Sequence, residues 1–324
     1  MKLAVICFLV LTIGCDRAAN KPVCIVAING VMETFPLELA QDLGYFREEG
    51  VAVNIEHAAK VSEAVLSGSC EMSFDGYVAT IQATTAGQKL KAFLVVGIRP
   101  TTVLVVAPKN SASIRTLADL KGKLVGVNVF GGATEMNLKH ALKQNAIANS
   151  DVTLIQTGSG AKAVAALEHG KVDAAFTSTT VLALLQRRVS GVNTLLDLRT
   201  PDATKDFFGV DAIGGYSLNT KPEWLAEHPE QARRIARAMV RTLRWAREHP
   251  LEEVYAKLQP IYRSDDKQVD MAVLEIIIST LSTDGKMPQG GAEAMQRVAS
   301  AADERVMKID IASTYTNDFL EQKQ

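Results

Sequence analysis

Short apolar runs recur along the first two thirds of the chain and alternate with longer amphipathic stretches. The runs are rich in Val, Ile and Leu, which is typical of strands buried on both faces of a parallel sheet. They are Val23–Ile28, Val51–Ile55, Ala92–Val96, Val103–Ala107, Leu124–Val127, Val152–Ile155 and Val172–Phe176. Because several are separated by helical patterns of the length that βαβ units need, the chain is predicted to have an α/β fold.

A segment of the first half of the chain is repeated in the second half. Residues 64–74 align with residues 166–176, and Gly68 and Gly170 are 102 residues apart. Each copy contains a helix end, a glycine suited to a left-handed cap and a strand that ends in Phe. One copy in each of two lobes is the simplest explanation, and a length of 324 residues agrees with it. Chance similarity between two αβ turns is the alternative.

The pattern becomes helical after residue 218. In Pro229–His249, apolar residues recur with the spacing of a helix that has one buried face. The other face carries Arg233, Arg234, Arg237, Arg241, Arg244 and Arg247. A solvated helix face is the favoured interpretation, and a docking surface for a partner or an anionic membrane is the alternative.

The N-terminus has the features of an export signal. Lys2 precedes a short apolar core that is closed by Gly14 and Cys15, and this core is too short to span a bilayer. Gly14-Cys15 resembles the lipobox of bacterial lipoproteins, in which the Cys is acylated. We therefore predict a lipoprotein signal peptide at residues 1–14, lipidation of Cys15, and a lipid-anchored protein in the periplasm or at the cell surface. Asp16 would favour retention at the inner membrane, and an ordinary signal peptide is the alternative.

Two cysteines, Cys24 and Cys70, remain after the predicted signal and lipid anchor. Export permits a disulfide. Cys24 opens the first predicted strand and Cys70 lies just before the third, and these strands are neighbours in a doubly wound sheet. A Cys24–Cys70 bridge and two free buried cysteines both fit the sequence.

Composition and motifs exclude several classes of function. The 35 Lys and Arg against 36 Asp and Glu give a net charge of -1, which argues against nucleic-acid binding. The five histidines lack ligand-like spacing, so no metal site is predicted. Residues 156–163 imitate a dinucleotide fingerprint, but Asp173 lies at the wrong end of the following strand. With no phosphate loop, nucleophile elbow or His-Glu-x-x-His motif, we expect no cofactor and no enzyme activity.

Several segments together resemble a known family, the substrate-binding proteins of ABC importers for nitrate, sulfonates, taurine, bicarbonate and thiamine-precursor pyrimidines. The segments are residues 35–51, 117–123, 127–136, 163–176 and 315–320. The resemblance implies a two-lobed type II periplasmic-binding-protein fold whose lobes close around a small-molecule solute. It implies an ABC permease and its ATPase subunits as partners, and a monomer. Lobe 1 would comprise residues 21–106, lobe 2 residues 107–210, and residues 211–324 the return to lobe 1 with a helical C-terminal extension. The crossovers are expected near Thr102–Ala107 and Ile213–Leu218.

The ligand is expected beyond the carboxyl ends of the strands, as in other open α/β sheets. The candidate ligand-binding residues are Phe35, Asp75, Gly76, Tyr77, Gly131, Gly132, Ala133, Thr134, Thr177 and Tyr216. Gly132 stands where the family often has Ser. Arg99 could supply a counter-charge or pair with a surface acid.

The charge of the ligand stays open at this point. Free N–H groups at residues 131–134 would favour an anion, whereas Asp75 and Glu135 would repel one unless Glu135 points to solvent. A small anion is the leading expectation, and a neutral or amino-bearing heterocycle such as a thiamine-precursor pyrimidine is the alternative. Two other classes are a periplasmic sensor partner and a pyrimidine-synthesis-type enzyme. The cysteine-rich segment and the lack of an export signal in those enzymes do not fit this chain.

Overall fold

A computed structural model describes residues 21–320 of the protein. The predicted signal peptide and Cys15 lie outside the described residues. Within residues 21–320, none of the helices has both the length and the apolar character that a bilayer span requires.

The strands of the described chain form two five-stranded sheets. They are β1 Val23–Ile28, β2 Val53–Ala58, β3 Met72–Gly76, β4 Lys91–Val95, β5 Thr102–Val106, β6 Leu124–Val127, β7 Thr153–Gln156, β8 Ala174–Ser178, β9 Thr194–Asp197 and β10 Tyr216–Thr220. The first sheet has the order β2-β1-β3-β10-β4 and defines lobe 1, and the second has the order β7-β6-β8-β5-β9 and defines lobe 2. The predicted two-lobed α/β fold is thereby confirmed.

Helices cover both faces of the sheets. The α-helices are α1 Pro36–Asp42, α2 Tyr45–Glu48, α3 Val61–Ser67, α4 Tyr77–Thr85, α5 Ala133–Gln144, α6 Gly160–Glu168, α7 Thr179–Arg188, α8 Pro201–Phe208, α9 Pro222–Glu227, α10 Pro229–Glu248, α11 Leu251–Ala256, α12 Lys267–Thr280 and α13 Gly291–Ser300. Short 3-10 helices occupy Met32–Thr34, Pro108–Asn110, Leu117–Leu120, Asn149–Asp151, Pro260–Tyr262, Glu304–Lys308 and Ile311–Thr314.

The sequence-based strands agree with the structure in position but not fully in direction. β1 and β6 have the predicted bounds, and the other predicted strands shift by up to three residues. The sheets are mixed rather than parallel, since β10 runs antiparallel to β3 and β4, and β5 antiparallel to β8 and β9. β9 was missed because it is a four-residue, half-buried edge strand with little apolar pattern.

The internal repeat corresponds to the equivalent central strands of the two lobes. β3 occupies the middle of the first sheet and β8 the middle of the second. Gly68 and Gly170, which precede them, have positive φ values of 82° and 61°, as expected for left-handed helix caps. The repeat therefore reflects one βαβ unit in each lobe.

Residues 96–101 and 209–215 connect the lobes and lie side by side. The Ile213 N–H donates to the Ile98 carbonyl and the Gly215 N–H to the Gly97 carbonyl, both at 2.9 Å. A side chain at Gly215 would place its Cβ only 2.5 Å from the Gly97 oxygen, so the pairing requires glycine there. The connections come a few residues before the predicted crossovers, because β5 and β10 already belong to the sheets.

The C-terminal helices are shared between the lobes. α10 buries Ile235, Met239 and Leu243 in the lobe 1 core, as its pattern predicted. α13 instead contributes Met295 and Val298 to a cluster with residues of lobe 2 and of α4. The described part of the predicted segment 211–324 thus contains helices that pack on each lobe.

The arginine face of α10 is largely paired within the protein. Arg237 contacts Glu49 at 2.8 Å, and Arg241 contacts both Glu48 and Glu49, at 2.5 and 3.2 Å. Arg233 pairs with Glu230 at 2.6 Å. These neighbours support the solvated-face interpretation, because three of the six arginines form ion pairs with glutamates of the protein.

Cys24 and Cys70 form a disulfide in the structure, with their Cα atoms 4.9 Å apart. Cys24 lies in β1, and Cys70 just precedes its neighbour β3. Both side chains belong to a small hydrophobic cluster beneath α3. The bridge closes a loop with a sequence separation of 46 residues.

Replacing both bridged cysteines with serine should lower the free energy of unfolding by about 4 kcal/mol, because the open loop regains entropy in the unfolded chain. Urea unfolding of the oxidised protein and of the double variant Cys24→Ser, Cys70→Ser tests this. A reductant should destabilise the parent chain and leave the double variant unchanged. Equal stability of the oxidised parent and the variant would contradict the expectation.

Candidate functional site

The loops that follow the strands of the two lobes meet along an interface. Thr101 Oγ1, in a connection between the lobes, donates a 2.5 Å hydrogen bond to Glu33 Oε1 of lobe 1. On another part of the interface, Gln82 Nε2 of α4 donates to the Gly131 carbonyl of lobe 2. Arg187 of α7 forms an ion pair with Asp266, just before α12, at 2.9 Å. The two lobes are therefore in direct contact.

A buried carboxyl, that of Asp75, lies in lobe 1 at the end of β3. It is 4% exposed and accepts hydrogen bonds from Ser62 Oγ at 2.6 Å, Ser73 Oγ at 3.3 Å and Asn219 Nδ2 at 2.5 Å. Burial raises the pKa of Asp75 from 3.8 to about 6, although the hydrogen bonds oppose that shift. The ionised form of the Asp75 carboxyl is therefore less favourable in the folded protein than in water.

Glu33 and Tyr216 complete an acidic group around this position. Burial also raises the pKa of Glu33, with the Thr101 hydrogen bond acting against the rise. The pKa of Tyr216 lies well above its usual range because of burial and of the negative charges of Glu33 and Asp75. The negative charges of Glu33 and Asp75 thus both act on Tyr216, and the guanidinium of Arg99 lies beside the cavity that Glu33 lines.

A small cavity of about 10 Å³, lined by both polar and apolar side chains, lies beside Glu33, with room for about one water molecule. Tyr216, Arg99, Thr101 and Thr280 also line it. Small-molecule sites are usually hundreds of cubic ångströms, so this cavity is far smaller than a typical ligand site.

Among the described residues, Arg99 does not pair with a surface acid, one of the two roles that the sequence suggested, and its role as a counter-charge stays a prediction. Its guanidinium donates to the Ser279 carbonyl, and its Nε is buried without an acceptor among residues 21–320. Burial, with the nearby charge of Arg247, lowers its pKa. No carboxylate within the described chain forms a salt bridge with Arg99.

The lobe 2 side of the interface is built from neutral polar groups. Thr177 Oγ1 donates to Asn128 Oδ1 at 3.3 Å, and the Asn128 N–H donates to Thr134 Oγ1 at 3.0 Å. Thr134 therefore fixes the loop rather than capping α5. A side chain at Gly132 would place its Cβ 2.7 Å from Val129 Cγ1, which explains why serine is absent there.

Glu135 is buried against its own loop, so the expectation that it points to solvent is wrong. Glu135 is 8% exposed and pairs with Lys139 at 2.5 Å. Its second oxygen accepts the Gly131 N–H at 2.7 Å. This carboxylate is neutralised internally and contributes little to the charge seen by a ligand.

Two predicted ligand residues lie in hydrophobic cores. Phe35 is 1% exposed and packs in lobe 1, and Tyr77 is 0% exposed and packs beneath α13. The Tyr77 hydroxyl contacts Thr314 Oγ1 at 2.5 Å, on the side of the C-terminal segment. Both side chains therefore contribute to the packing of the core. Their contact with a ligand stays a prediction.

The structure brings most of the other predicted residues to the ends of neighbouring strands. Asp75 and Gly76 end β3, Tyr216 begins β10, and Thr177 lies in β8. Gly131, Gly132, Ala133 and Thr134 form the turn that enters α5. Sequence reasoning did not single out Glu33 or Asn128, although both follow strands whose carboxyl ends meet at this edge.

A family model described as NMT1/THI5 like matches residues 32–253, more than half of the chain. The chain belongs to the NMT1/THI5-like family. The matched range contains every residue of the interface described above except Asp266, Ser279 and Thr280. The family assignment therefore covers both lobes and the connections between them.

Solved structures share the fold of this family member over nearly its whole length. A protein of Bordetella bronchiseptica RB50 has a TM-score of 0.83 and 28% identity, with 93% of this chain and 96% of that chain covered. The alkanesulfonate-binding protein of Xanthomonas axonopodis pv. citri, bound to MOPS, has a TM-score of 0.68 and 17% identity over 91% and 98%. The periplasmic nitrate-binding protein of Synechocystis has a TM-score of 0.65 and 12% identity over 92% and 86%. These similarities confirm the periplasmic-binding-protein fold.

Two curated relatives of this family member are fungal proteins named 4-amino-5-hydroxymethyl-2-methylpyrimidine phosphate synthase. The protein of Aspergillus parasiticus is 26% identical over 247 residues, which cover 70% of this chain and 67% of that protein. The protein of Schizosaccharomyces pombe is 28% identical over 142 residues, covering 43% of this chain and 39% of that protein. Relatives of this chain thus include proteins named as enzymes.

The stability of this family member should depend on pH through Asp75. The pKa of Asp75 is about 6 in the folded protein and 3.8 in the unfolded chain, so ionisation of Asp75 destabilises the folded state. This destabilisation is absent below pH 3.8, grows as the pH rises to about 6 and is complete above that value. The stability of Asp75→Asn relative to the parent should therefore rise by about 3 kcal/mol from pH 3.5 to 7. Urea unfolding across that range measures the difference, with Asp211→Asn at an exposed acid as control. A difference that does not vary with pH would show that Asp75 titrates normally.

Proposed function

We propose that this protein is the exported solute-binding component of an ABC importer. Family membership, the periplasmic-binding-protein fold and the two-connection hinge between contacting lobes support this role. In this proposal the protein is a monomer in the periplasm or at the cell surface and is anchored through lipidated Cys15. It closes around a small solute and delivers it to a permease powered by ATPase subunits. It catalyses no reaction of its own.

We further propose that the solute is a neutral or amino-bearing heterocycle, for which a pyrimidine amine is the model compound. The observation that carries this choice is the Glu33 carboxyl, which lines the cavity together with Tyr216 and accepts a hydrogen bond from Thr101. An amino group could donate to the Glu33 carboxyl, whereas an anion about 4 Å from that carboxylate would be repelled by about 4 kcal/mol at an effective dielectric constant near 20. The pyrimidine in the names of both fungal relatives is consistent with this class.

A small anion remains the second candidate because of the lobe 2 loop. α5 begins at Ala133 after Gly132, and no side chain caps its first turn. Such a helix start favours negative charge. The structural relatives named for alkanesulfonate and nitrate binding are consistent with this alternative.

Thermal shift with a ligand panel separates the two candidates. The purified chain is heated with 4-amino-5-hydroxymethyl-2-methylpyrimidine, related aminopyrimidines, alkanesulfonates, taurine, nitrate and bicarbonate. A ligand at 100 times its Kd should add about 2.7 kcal/mol of stability, enough to raise the Tm by a few degrees. We expect a rise with the aminopyrimidines only. A rise with the anions only would overturn the ligand class, and no rise with any compound would remove the main support for a binding protein.

The enzyme alternative has its own measurement. Ligand recovered from the denatured complex is compared with the starting compound by mass spectrometry. A carrier returns the compound unchanged after prolonged incubation. A chemically altered compound would overturn the proposal that the protein is a carrier and would favour an activity related to that of the fungal relatives.

A further inference from the structure

Three potential metal ligands meet on lobe 1, away from the lobe interface. They are Cys24 in β1, Glu56 in β2 and Cys70 just before β3. Their ligating atoms, the two Sγ atoms and one carboxylate oxygen, all lie within 4.8 Å of one another. The parallel pairing of β1 with β2 places Asn54 opposite Cys24 and Glu56 two positions further along, on the same face of the sheet.

The surroundings of this cluster suit an ion that enters from solvent. Cys24 and Cys70 are 8% and 3% exposed and are enclosed by Val26, Val65 and other apolar side chains. Glu56 is exposed and so gives the cluster an open side. Asn54 Nδ2 donates to Glu56 Oε1 at 3.1 Å, which orients the carboxylate. An apolar floor, an oriented carboxylate and access from one side are features of a metal site.

The donor set selects the class of ion. Two thiolates and one carboxylate are ligands that Zn²⁺ accepts in tetrahedral sites, and water can take the fourth position. Thiolates also disfavour hard ions such as Mg²⁺ and Ca²⁺, which prefer oxygen ligands alone. The set therefore favours borderline ions such as Zn²⁺ over hard ions, and it becomes available only when the cysteines are reduced.

We propose that Cys24, Cys70 and Glu56 form a redox-dependent Zn²⁺ site. A dithiol reductant gives two electrons and two protons to the Cys24–Cys70 disulfide and becomes a disulfide itself. The two thiols then lose their protons to solvent as both sulfurs and the Glu56 carboxylate bind one Zn²⁺. The protein thus has a disulfide form and a zinc form, which use the same two cysteines and exclude each other.

This site is separate from the proposed solute site. Cys24 lies four residues before the end of β1, about 13 Å along the strand from the loop that leads to Glu33. Zinc binding therefore does not require that the proposed solute or the importer role be correct. Failure of one proposal leaves the other standing.

A chelator competition tests the proposal. The full chain carries Cys7→Ser and Cys15→Ser, so that Cys24 and Cys70 are the only cysteines. One sample is oxidised, and the other is reduced with a dithiol that is then removed without air. Zinc is titrated against the chromogenic chelator 4-(2-pyridylazo)resorcinol. We expect one Zn²⁺ per reduced chain and none per oxidised chain, with tighter binding at higher pH because protons are released.

Variants assign the ligands. Glu56→Gln should weaken binding to the reduced chain at least tenfold, and Glu63→Gln, at an exposed acid of the same lobe, should leave it unchanged. Co²⁺ should give sulfur-to-metal charge-transfer absorption in the reduced parent, which shows thiolate ligation without any cysteine variant. Equal zinc binding by the oxidised and reduced chains, a Co²⁺ spectrum without that absorption, or equal effects of the two glutamate variants would each overturn the proposed site.

Discussion

Replacing Phe176 with alanine should lower the free energy of unfolding by about 3–5 kcal/mol. Phe176 is 0% exposed in β8, the central strand of lobe 2, and packs in the cluster that also contains Leu104, Met136 and residues of α13. Alanine would remove the ring and leave a cavity in this cluster. Side chains of lobe 2 and of the C-terminal helices in the cluster would then lose packing contacts. Urea unfolding followed by circular dichroism measures the loss.

A second phenylalanine in the same lobe provides the matched control. Phe130 is 54% exposed in the loop before α5, so Phe130→Ala should change the free energy of unfolding by less than about 0.5 kcal/mol. If the two variants were equally stable, the packing around β8 described here would be incorrect. An unchanged urea dependence, the m-value, would show that both variants still unfold as the parent does.

Replacing Glu33 with glutamine should weaken binding of the proposed aminopyrimidine by about tenfold to a hundredfold. Glutamine keeps the size of the side chain and can still accept from Thr101 Oγ1. It removes the negative charge, and a hydrogen bond to a charged group contributes about 1.5–3 kcal/mol. Isothermal titration calorimetry of the parent and the variant with 4-amino-5-hydroxymethyl-2-methylpyrimidine gives the change in Kd.

The same variant has the opposite effect if the solute is an anion. Loss of the Glu33 charge would then remove repulsion, and Glu33→Gln would bind alkanesulfonates more tightly than the parent does. Glu223→Gln, at an exposed acid that starts α9, is the control for a general change in surface charge. Weaker binding of the aminopyrimidine in both variants to the same extent would contradict a direct role of Glu33.

The fold was predictable from the sequence in its main features. The Val-rich runs identified seven strands, and the repeat around Gly68 and Gly170 correctly indicated one equivalent unit in each lobe. The directions of β5 and β10 were not predictable, because a buried strand has the same apolar pattern whichever way it runs. Only the path of the chain between the lobes decides that both strands insert antiparallel.

The sequence predicted where the residues of the candidate site lie, but not the burial and ion pairing of its acidic residues. Strand ends located Asp75, Thr177 and Tyr216, since ligands of open sheets bind beyond those ends. The half-buried position of Glu33 and the pairing of Glu135 with Lys139 depend on side chains brought together by folding. The sequence position of Phe35 does not tell whether its ring contacts a ligand or packs in the core. The structure shows that it packs in the core of lobe 1.

The sequence by itself determined the α/β class, the two lobes and the positions of the strand ends, because hydrophobic periodicity and glycine caps are local properties. The tertiary structure decided which acids carry charge beside the hinge and which are neutralised, since pKa values depend on neighbours distant in the chain. It also brought Cys24, Glu56 and Cys70 together. Their spacing along the chain does not resemble a metal-binding motif. The three residues are close in space because the strand β1 pairs with both β2 and β3.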